Sequence, residues 1–491
     1  MARARWSSRV TFILAAIGSA VGLGNVWRFP YLTYKFGGGA FLVPYLAALF
    51  VVGIPLLMLE FAIGQKIQRG TIGTFETLRK GFGALGALAL LSAFIILCYY
   101  AVVMAWSLVF LLASFGMPWA GQAKTYFYND VLQLSAGIDT LGGINWLIFF
   151  ALLAIWVMIY FCVWQGVKSV GKIVWWTVPL PVVLLAVLLL RVVTLPGFLT
   201  GWFYYLKPDW SALLSTEVWI AAISQIFFTL TLAFGVMVTY ASYNDQAEDV
   251  AQDSFITALT NSAISIFAGF VVFGVIGYMA TQTGDAVADV ATSGPGLAFV
   301  VFPEALSLMP WPEFFSVVFF LTLLLLGIDS AFSLVEAINA AILDENNNWK
   351  THILSFWVCC IAFLGGIIFT TRAGLYFLDI IDHFVTNFNL VIIGLLQCLL
   401  VGWVYGAEKV RDFINRVSAI RIGRWWTVTI KYIIPLIFLI LLTKQFLVER
   451  QAPYENYPAW ALGIGWGVVL IPLVIFIGML LIGATRKDAE S

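Results

Sequence analysis

The sequence predicts an all-α polytopic membrane protein with about twelve transmembrane helices. Of its 491 residues, 62% are hydrophobic and only 11% are charged, whereas a soluble domain is about half apolar and a quarter charged. Lipid must therefore be the main solvent of this chain. A spanning helix needs about 20 apolar residues. Runs of that kind start near Thr11, Phe41, Leu88, Trp146, Ile173, Val218, Phe255, Phe314, Ile353, Leu375, Trp426 and Trp460.

The distribution of Lys and Arg predicts the orientation of these spans. If the N-terminus is inside, the basic residues concentrate on the inner segments, as in 66–80 and 409–424, which is the pattern of cytoplasmic loops. We therefore expect a multi-pass protein of the bacterial inner membrane with both termini in the cytoplasm. Lys plus Arg equals Asp plus Glu, so no basic tail for nucleic acid is expected. Residues 1–491 are interpreted as a single transmembrane domain.

Two of the predicted spans contain helix-breaking sequences. The first holds three glycines within Gly18–Asn25, and the sixth holds small and hydroxyl-bearing residues within Thr229–Gly235. Interrupted helices at matching positions of two halves indicate a transport site at the bilayer midplane, where freed carbonyls can bind a cation. Close helix packing is an equally good reason for such glycines, so the breaks alone leave both interpretations open.

Several motifs in chain order carry a resemblance to a known family. They are 22–31 (GLGNVWRFPY), 37–41 (GGGAF), Pro44-Tyr45, Tyr99-Tyr100, 225–230 (QIFFTL), Asn261, 326–330 (LGIDS) and Asp379 with Asp382. The chain resembles the neurotransmitter:sodium symporters, which share the leucine-transporter fold. The resemblance implies two inverted repeats of five spans, at about 11–200 and 216–405, followed by two peripheral helices at about 425–485. It also implies sodium and chloride as coupling ions and no organic cofactor.

The resemblance implies two sodium sites. The first would use Ala20, Asn25, Thr229 and Asn261. The second would use Gly18, Val21, Leu326, Asp329 and Ser330. The residues themselves agree with this, because hard cations prefer oxygen ligands and an ionisable residue such as Asp329 inside an apolar run needs a partner. A purely structural hydrogen bond of Asp329 between helices is the alternative.

A chloride site is implied by the residue that follows Asn261 by one helical turn. Chloride-independent members resemble one another in carrying an acid there, but this chain has Ser265. The implied donors are Tyr45, Gln225, Thr229, Asn261 and Ser265. Uncharged donors of this kind suit a partly desolvated halide. The alternative is that Ser265 is small for packing alone.

The resemblance also implies a small-molecule site between the two breaks. Its residues would be Ser19, Ala20, Gly22, Gly24, Ile96, Tyr100, Val103, Phe228, Thr231, Ala233, Phe234, Ser330, Ala331 and Leu334. Amine-carrying members have an Asp at the position of Gly22, so a neutral α-amino acid is the expected substrate here. γ-Aminobutyrate, taurine and betaine remain alternatives. Ala233 departs from the glycine of many members, which leaves substrate size open.

Gate residues are the last set that the resemblance implies. Arg28 and Asp382 would form the outer pair, with Phe234 and Tyr100 between them. Arg3 and Asp344 would form the inner pair, with Trp6, Ser242 and Tyr243 nearby. Glu336 replaces an uncharged polar residue, and it could either bind a proton or pair with Arg3.

Other classes of protein fit the sequence less well. An intramembrane enzyme would need a set such as His-Glu-x-x-His, paired carboxylates or a Gly-x-Ser-x-Gly elbow, and the sequence contains none of these. A substrate sensor or a channel could keep every binding residue and is excluded less firmly. The sequence therefore predicts sodium-coupled symport of an amino acid, with a non-transporting homologue as the alternative.

Overall fold

The structure of the chain is a computed structural model that describes residues 4–290, 294–346 and 348–490. Ten helices are long and apolar enough to cross a membrane. Two bent pairs, Arg9–Ala20 with Leu23–Lys35 and Phe198–Leu214 with Thr216–Thr229, raise the number to at most twelve in these ranges. Thr216–Thr229 is followed by the short helix Val236–Ala241, and these two are taken together below as one broken helix. The spanning helices are α1 (Arg9–Ala20 and Leu23–Lys35), α2 (Gly38–Ile67), α3 (Gly83–Ala113), α4 (Trp146–Val163), α5 (Val167–Val192), α6 (Thr216–Thr229 and Val236–Ala241), α7 (Val250–Thr283), α8 (Pro312–Glu345), α9 (Thr351–Thr370), α10 (Gly374–Val417), α11 (Arg424–Asn456) and α12 (Ala459–Leu481).

The predicted fold class is confirmed. No β-strand occurs in the described ranges, where a single isolated bridge joins Ile144 to Thr371. The predicted starts agree closely with the observed helices, and α4 begins at Trp146 itself. The largest shift is at α5, which begins at Val167 rather than Ile173. Hydropathy detects only the part of a helix that lies in hydrocarbon. The start of α5 at Val167-Lys168-Ser169 is polar, so hydropathy does not assign it to the helix, although the helix continues through it.

The helices differ in how far they are buried by the rest of the protein. In α2 and α8, 78% of the apolar stretch is buried, whereas in α5 and α12 the share is 22%. The exposed apolar faces of α5 and α12 are the surface that lipid would cover. The broken helices α1 and α6 pack among the buried group and place their breaks inside the molecule.

The break in α1 lies at Val21 and Gly22. Both residues have extended backbone, with φ −82° and ψ 109° at Val21 and φ −135° and ψ −167° at Gly22, and the two half-helices meet at a bend of 54°. The carbonyls and N–H groups here have no continuous helix to bind to. Such groups must find other partners in a membrane.

The break in α6 covers Leu230–Gly235. Thr231, Ala233 and Gly235 have φ values of 53°, 67° and 80° in this segment. Three residues with left-handed backbone cannot continue a right-handed helix. At its N-terminal end, Thr216–Thr229 meets the preceding helical segment Phe198–Leu214 at an angle of 120°, so the chain changes direction sharply before α6.

Candidate functional site

A cavity of about 50 Å³ lies where the two breaks meet. A single water occupies roughly 10–15 Å³ by this measure, so the space suits a small solute or a few waters. The lining residues are Ser19, Ala20, Gly22, Leu23, Gly24, Asn25, Ile96, Tyr100, Phe228, Thr229, Thr231, Phe234, Ser330 and Leu334. Most of the expected substrate residues therefore line one cavity.

Three expected substrate residues do not line this cavity. Val103 and Ala331 are buried nearby on α3 and α8, and Ala233 lies within the α6 break. Ala233 is not a lining residue, and its effect on substrate size stays a prediction. Leu23 is a lining residue that the sequence did not indicate, and its backbone N–H donates to the Tyr100 hydroxyl at 3.4 Å.

The polar edge of the cavity is built around Gly22 and Ser19. A Cβ at Gly22 would lie 3.0 Å from Ser330 Oγ and 3.1 Å from the Tyr100 hydroxyl, so glycine is needed for this close approach. The Ser19 carbonyl accepts from Thr231 Oγ1 at 2.9 Å and from Ser330 Oγ at 3.3 Å. These contacts join both breaks to α8.

The lining carries no Asp, Glu, Lys or Arg, and all fourteen lining residues are among those described. Its polar groups are hydroxyls, the Asn25 amide and backbone groups freed by the breaks. An ionised side chain in this space would have no opposite charge beside it. A ligand whose own charges cancel fits these surroundings better.

The residues of the expected first sodium site form one buried cluster. Thr229 Oγ1 lies 3.4 Å from Asn25 Oδ1 and 3.3 Å from Asn261 Oδ1. Asn25 Nδ2 donates to Asn261 Oδ1 at 2.9 Å. Ala20 and Asn25 also line the cavity. Three side-chain oxygens therefore converge next to the space for a solute, which is the donor set that a hard cation prefers.

The expected chloride residues continue this cluster. Asn25 Nδ2 donates to Ser265 Oγ at 2.7 Å, and the Tyr45 hydroxyl donates to Ser262 Oγ at 3.2 Å. Gln225 is fully buried, and neither its amide nitrogen nor its amide oxygen has a hydrogen-bond partner within the described chain. Leaving a buried amide unpaired costs about 1–3 kcal/mol. A bound anion would supply the missing acceptor.

Ser262 was not indicated by the sequence as part of this set. It lies next to Asn261 in α7 and accepts the Tyr45 hydroxyl. The spacing of Ser262 and Ser265 could have indicated it, because residues three apart in a helix lie on the same face.

The expected second sodium site centres on Asp329 in α8. This carboxylate is buried, and its Oδ1 has no hydrogen-bond partner among the described residues. A Cβ at Gly18 would lie 2.9 Å from Asp329 Oδ2, so the carboxylate lies against the backbone before the α1 break. A buried carboxylate with one oxygen unpaired is costly, and a cation beside that oxygen would offset the cost.

The expected outer pair is near the cavity but does not form an ion pair. The Arg28 guanidinium lies 5.2 Å from the centre of the Phe228 ring. Asp382 accepts from the Tyr99 hydroxyl at 2.6 Å. In this structure each charge has a separate partner, an aromatic ring for Arg28 and a phenol for Asp382, and the role of the two residues as a gate pair stays a prediction. Tyr99 is a residue whose contact the sequence did not indicate.

The segment before α1 packs against Tyr240 and Tyr243. We call this side of the molecule the N-terminal side. Trp6 Nε1 donates to the Tyr240 carbonyl at 2.8 Å, and the Trp6 ring packs edge-on against Tyr240 and Tyr243. Arg5 binds Asp245, and Arg9 Nη2 lies 2.6 Å from Asp253 Oδ1. The sequence did not indicate either ion pair.

Two further contacts concern expected gate residues on this side. The Tyr243 hydroxyl donates to Glu336 Oε1 at 2.8 Å. Asp344 accepts from the Gly70 N–H. Arg3 lies outside the described residues, so its expected pairing with Asp344 or Glu336 stays a prediction.

Outside the membrane, the Ala247 N–H and then the Arg5 side chain hold the pKa of Asp245 below its ordinary value.

Comparison with known proteins covers nearly the whole chain. The model of the sodium:neurotransmitter symporter family matches residues 3–126 and 120–487. An uncharacterised sodium-dependent transporter of Methanocaldococcus jannaschii is 40% identical, with 98% of each chain covered. The human sodium- and chloride-dependent taurine transporter is 36% identical over 97% of this chain and 84% of its own. The corresponding human creatine transporter is 37% identical over 95% and 81%.

These matches agree with the motifs, the helix count and the broken helices. The family is one of membrane transporters rather than enzymes. The chain belongs to the sodium:neurotransmitter symporter family.

Proposed function

We propose that the chain couples the entry of sodium, with chloride, to uptake of a neutral amino acid by alternating access. The observation that carries the proposal is the cavity between the two helix breaks. It adjoins the oxygens of Asn25, Thr229 and Asn261 and is lined by no charged side chain. Gly18, Val21, Leu326, Asp329 and Ser330 are proposed to hold a second sodium ion.

The charge of the site favours an α-amino acid over a lone amine. A lone ammonium would be buried in this cavity without an anion beside it, at a cost of several kcal/mol. The carboxylate of an amino acid can instead meet the first sodium ion and the Tyr100 hydroxyl. Its ammonium can meet carbonyls freed by the two breaks, and its side chain would contact Ile96, Phe228 and Leu334.

Taurine or creatine is the second candidate substrate. Relatives with over 35% identity are named as taurine and creatine transporters. Both compounds carry one positive and one negative group, so the charge argument treats them like amino acids. Taurine and creatine differ from an α-amino acid in the distance between the two charges, which is shortest in the α-amino acid. γ-Aminobutyrate and betaine belong to the same group of longer zwitterions.

The chloride requirement rests on the uncharged donors around Ser265. Tyr45, Gln225, Thr229, Asn261 and Ser265 would surround an anion close to the first sodium ion. The unpaired amide of buried Gln225 supports this, since its NH₂ group has no acceptor among the described residues. A neighbouring sodium ion lowers the cost of burying the anion, because opposite charges in a region of low permittivity attract strongly.

Alternating access would use the contacts on the two sides of the cavity. Trp6, Tyr240 and Tyr243 close the N-terminal side, and Arg28 with Phe228 lies on the other side. We infer that the N-terminal side is cytoplasmic, in a bacterial inner membrane, because basic residues concentrate there. We also propose that residues of about 11–200 and 216–405 form the two inverted repeats whose relative motion opens each side.

The test is uptake by the purified chain in proteoliposomes with an inward sodium gradient. Substrates to compare are leucine, methionine, alanine, taurine, creatine, lysine, glutamate and dopamine. Neutral α-amino acids should compete best, and uptake should collapse when the gradient is removed. Preference for taurine or creatine would favour the second candidate. Sodium-dependent binding without uptake would identify a sensor instead and would contradict symport.

A further inference from the structure

A basic cleft lies at the end of α2, away from the cavity described above. It is lined by Lys66, Ile67, Arg69, Thr77 and Tyr405 and has a volume of about 480 Å³. The lining contains two cations and no carboxylate. Lys66 is held over the cleft by the Tyr405 hydroxyl, to which its Nζ donates at 2.8 Å. The cleft therefore presents positive charge in a fixed place.

The charges of the basic cleft are not neutralised by the protein around it. The partner of Lys66 is a phenol, which is uncharged, and Arg69 is exposed with no side-chain hydrogen bond or ion pair to any residue the structure describes. The Lys66 ammonium also lies 5.1 Å and 5.8 Å from the ring centres of Tyr405 and Phe413. The Tyr405 hydroxyl and the two aromatic rings therefore stabilise the positive charge of Lys66 but do not neutralise it.

The carboxylates on neighbouring elements are engaged elsewhere. Glu408 pairs with Lys431 at 2.7 Å, and Asp412 pairs with Arg411 at 2.9 Å. Glu76 accepts from the N–H groups of Gly81 and Gly83. Asp344 accepts from the N–H of Gly70, the residue after Arg69, but it does not line the basic cleft. An external anion is therefore needed to bring negative charge to the lining itself.

The position of the basic cleft indicates which anion this is. Lys66 and Ile67 end α2, and Tyr405 follows the exposed side chains of Trp403 and Val404 in α10, which are 56% and 49% exposed. A tryptophan beside basic residues at the end of a span marks the interface between hydrocarbon and water. Phosphate headgroups lie at that depth, and apolar side chains beside them can contact the acyl chains.

We propose that the basic cleft binds the phosphate headgroup of an anionic membrane phospholipid, with its acyl chains along Trp403 and Val404. Lys66 and Arg69 contact the phosphate, whereas the Thr77 hydroxyl already donates to the Gly73 carbonyl at 2.7 Å. In the proposed orientation the cleft belongs to the cytoplasmic leaflet. The site binds a lipid that is neither the substrate nor a coupling ion.

The test is native mass spectrometry of the purified full-length chain titrated with phosphatidylglycerol or phosphatidylcholine of the same acyl chains. The wild type should bind phosphatidylglycerol more tightly than phosphatidylcholine. Each basic residue near an anionic surface contributes roughly a fivefold gain in affinity. The double variant Lys66→Gln/Arg69→Gln should therefore bind phosphatidylglycerol roughly 25-fold more weakly. The variant Lys66→Arg/Arg69→Lys should keep most of the affinity.

The matched control is Lys168→Gln/Lys172→Gln, which removes two exposed basic residues of α5. It should bind phosphatidylglycerol as the wild type does. Equal binding of both lipids by the wild type, or unchanged binding by the Lys66→Gln/Arg69→Gln variant, would overturn the proposal. Tight binding of inorganic phosphate with no gain for phosphatidylglycerol would identify a site for a soluble anion and would overturn it as well. Thermal unfolding of each variant verifies that it is folded, and no substrate enters the test.

Discussion

At the scale of single residues, Ala233 itself has a backbone conformation that suits glycine better than alanine. Its φ of 67° lies in the left-handed region, which costs roughly 1–2 kcal/mol for a residue with a Cβ. The backbone N–H of Ala233 donates to the buried Glu60 carboxylate at 2.8 Å. This hydrogen bond holds the break in place against the local strain, as is common at functional sites.

Replacing Ala233 by glycine should stabilise the protein slightly. The relief of strain exceeds the added entropy of the unfolded chain, roughly 0.5–1 kcal/mol, so we expect a net gain of about 0.5–1 kcal/mol. Substrate affinity should change little, because Ala233 does not line the cavity. The measurements are thermal unfolding in detergent and substrate binding. Ala258→Gly in the regular part of α7 is the control and should destabilise; a loss of stability in Ala233→Gly as well would contradict the strain argument.

Asp329 gives a second prediction at this scale. Asp329→Ala should abolish the part of substrate binding that depends on sodium, because it removes the only carboxylate proposed to hold the second ion. Asn25→Ala should do the same through the first site. Both are measured by substrate binding over a range of sodium concentrations. Asp412→Ala, at an exposed carboxylate, is the control, and wild-type sodium affinity in both test variants would refute the assignment.

Ser265 gives a third prediction. Ser265→Glu should transport substrate without chloride, because a fixed carboxylate supplies the same negative charge beside the first sodium ion. Ser265→Ala removes the hydroxyl without adding charge and should stay dependent on chloride. The measurement is uptake with gluconate in place of chloride. Undiminished uptake by the wild type in gluconate would show that no chloride is required.

At the scale of helices, the sequence predicts where spans begin but not how the broken ones are stabilised. Hydropathy located all twelve runs, since burial in lipid requires long apolar stretches. The glycines of Gly18–Asn25 indicated a break in α1. The bond from the Gly22 N–H to Asn25 Oδ1 at 2.9 Å is a local contact at the start of a helix, of a kind that sequence spacing can indicate. Nothing local predicts that Asn25 Nδ2 donates to Asn261 Oδ1 or that Tyr99 binds Asp382. Those partners depend on packing between distant helices, which motif spacing alone does not give.

Gly235 tests the geometry of the α6 break. Its φ is 80°, and an added Cβ would lie 2.8 Å from Thr71 Oγ1. Gly235→Ala should therefore destabilise the protein by about 2 kcal/mol or more, through backbone strain and this clash together. The same change at Gly467, where an added Cβ would meet only Ile471 Cδ1 at 4.0 Å, is the control. Equal melting temperatures for both variants would show that the α6 break accommodates a Cβ at residue 235 and would contradict the argument from strain and clash.

At the scale of the whole molecule, the contacts of Trp6 join the segment before α1 to Tyr240 and Tyr243, and in the proposed mechanism they keep the N-terminal side closed. Its indole N–H binds the Tyr240 carbonyl, and its ring packs edge-on at 5.2 Å and 5.9 Å from the Tyr240 and Tyr243 rings. A hydrogen bond contributes about 1 kcal/mol, and each aromatic pair about 0.5–1.5 kcal/mol. The closed state is therefore favoured by contacts that involve few residues.

Trp6→Ala should shift the population toward a state open on the N-terminal side. A loss of about 2 kcal/mol corresponds to a roughly 30-fold change in the equilibrium. Hydrogen exchange of backbone amides in 239–244 should accelerate by a comparable factor. Trp349→Ala, at a Trp that is 43% exposed, should leave this exchange unchanged. Exchange at the wild-type rate in Trp6→Ala would show that other contacts keep this side closed.

The side chain of Asn25 has a consequence for the folding of the chain in cells. The same oxygen that accepts the Gly22 N–H also lies in the proposed first sodium site. A cation that binds there helps to organise the start of the second half of α1, so ion occupancy and local folding are thermodynamically linked. By mass action, a ligand at 100 times its dissociation constant adds about 2.7 kcal/mol to stability. In the proposed mechanism, a sodium gradient therefore stabilises the chain most when its first sodium site is open to the side with the higher sodium concentration.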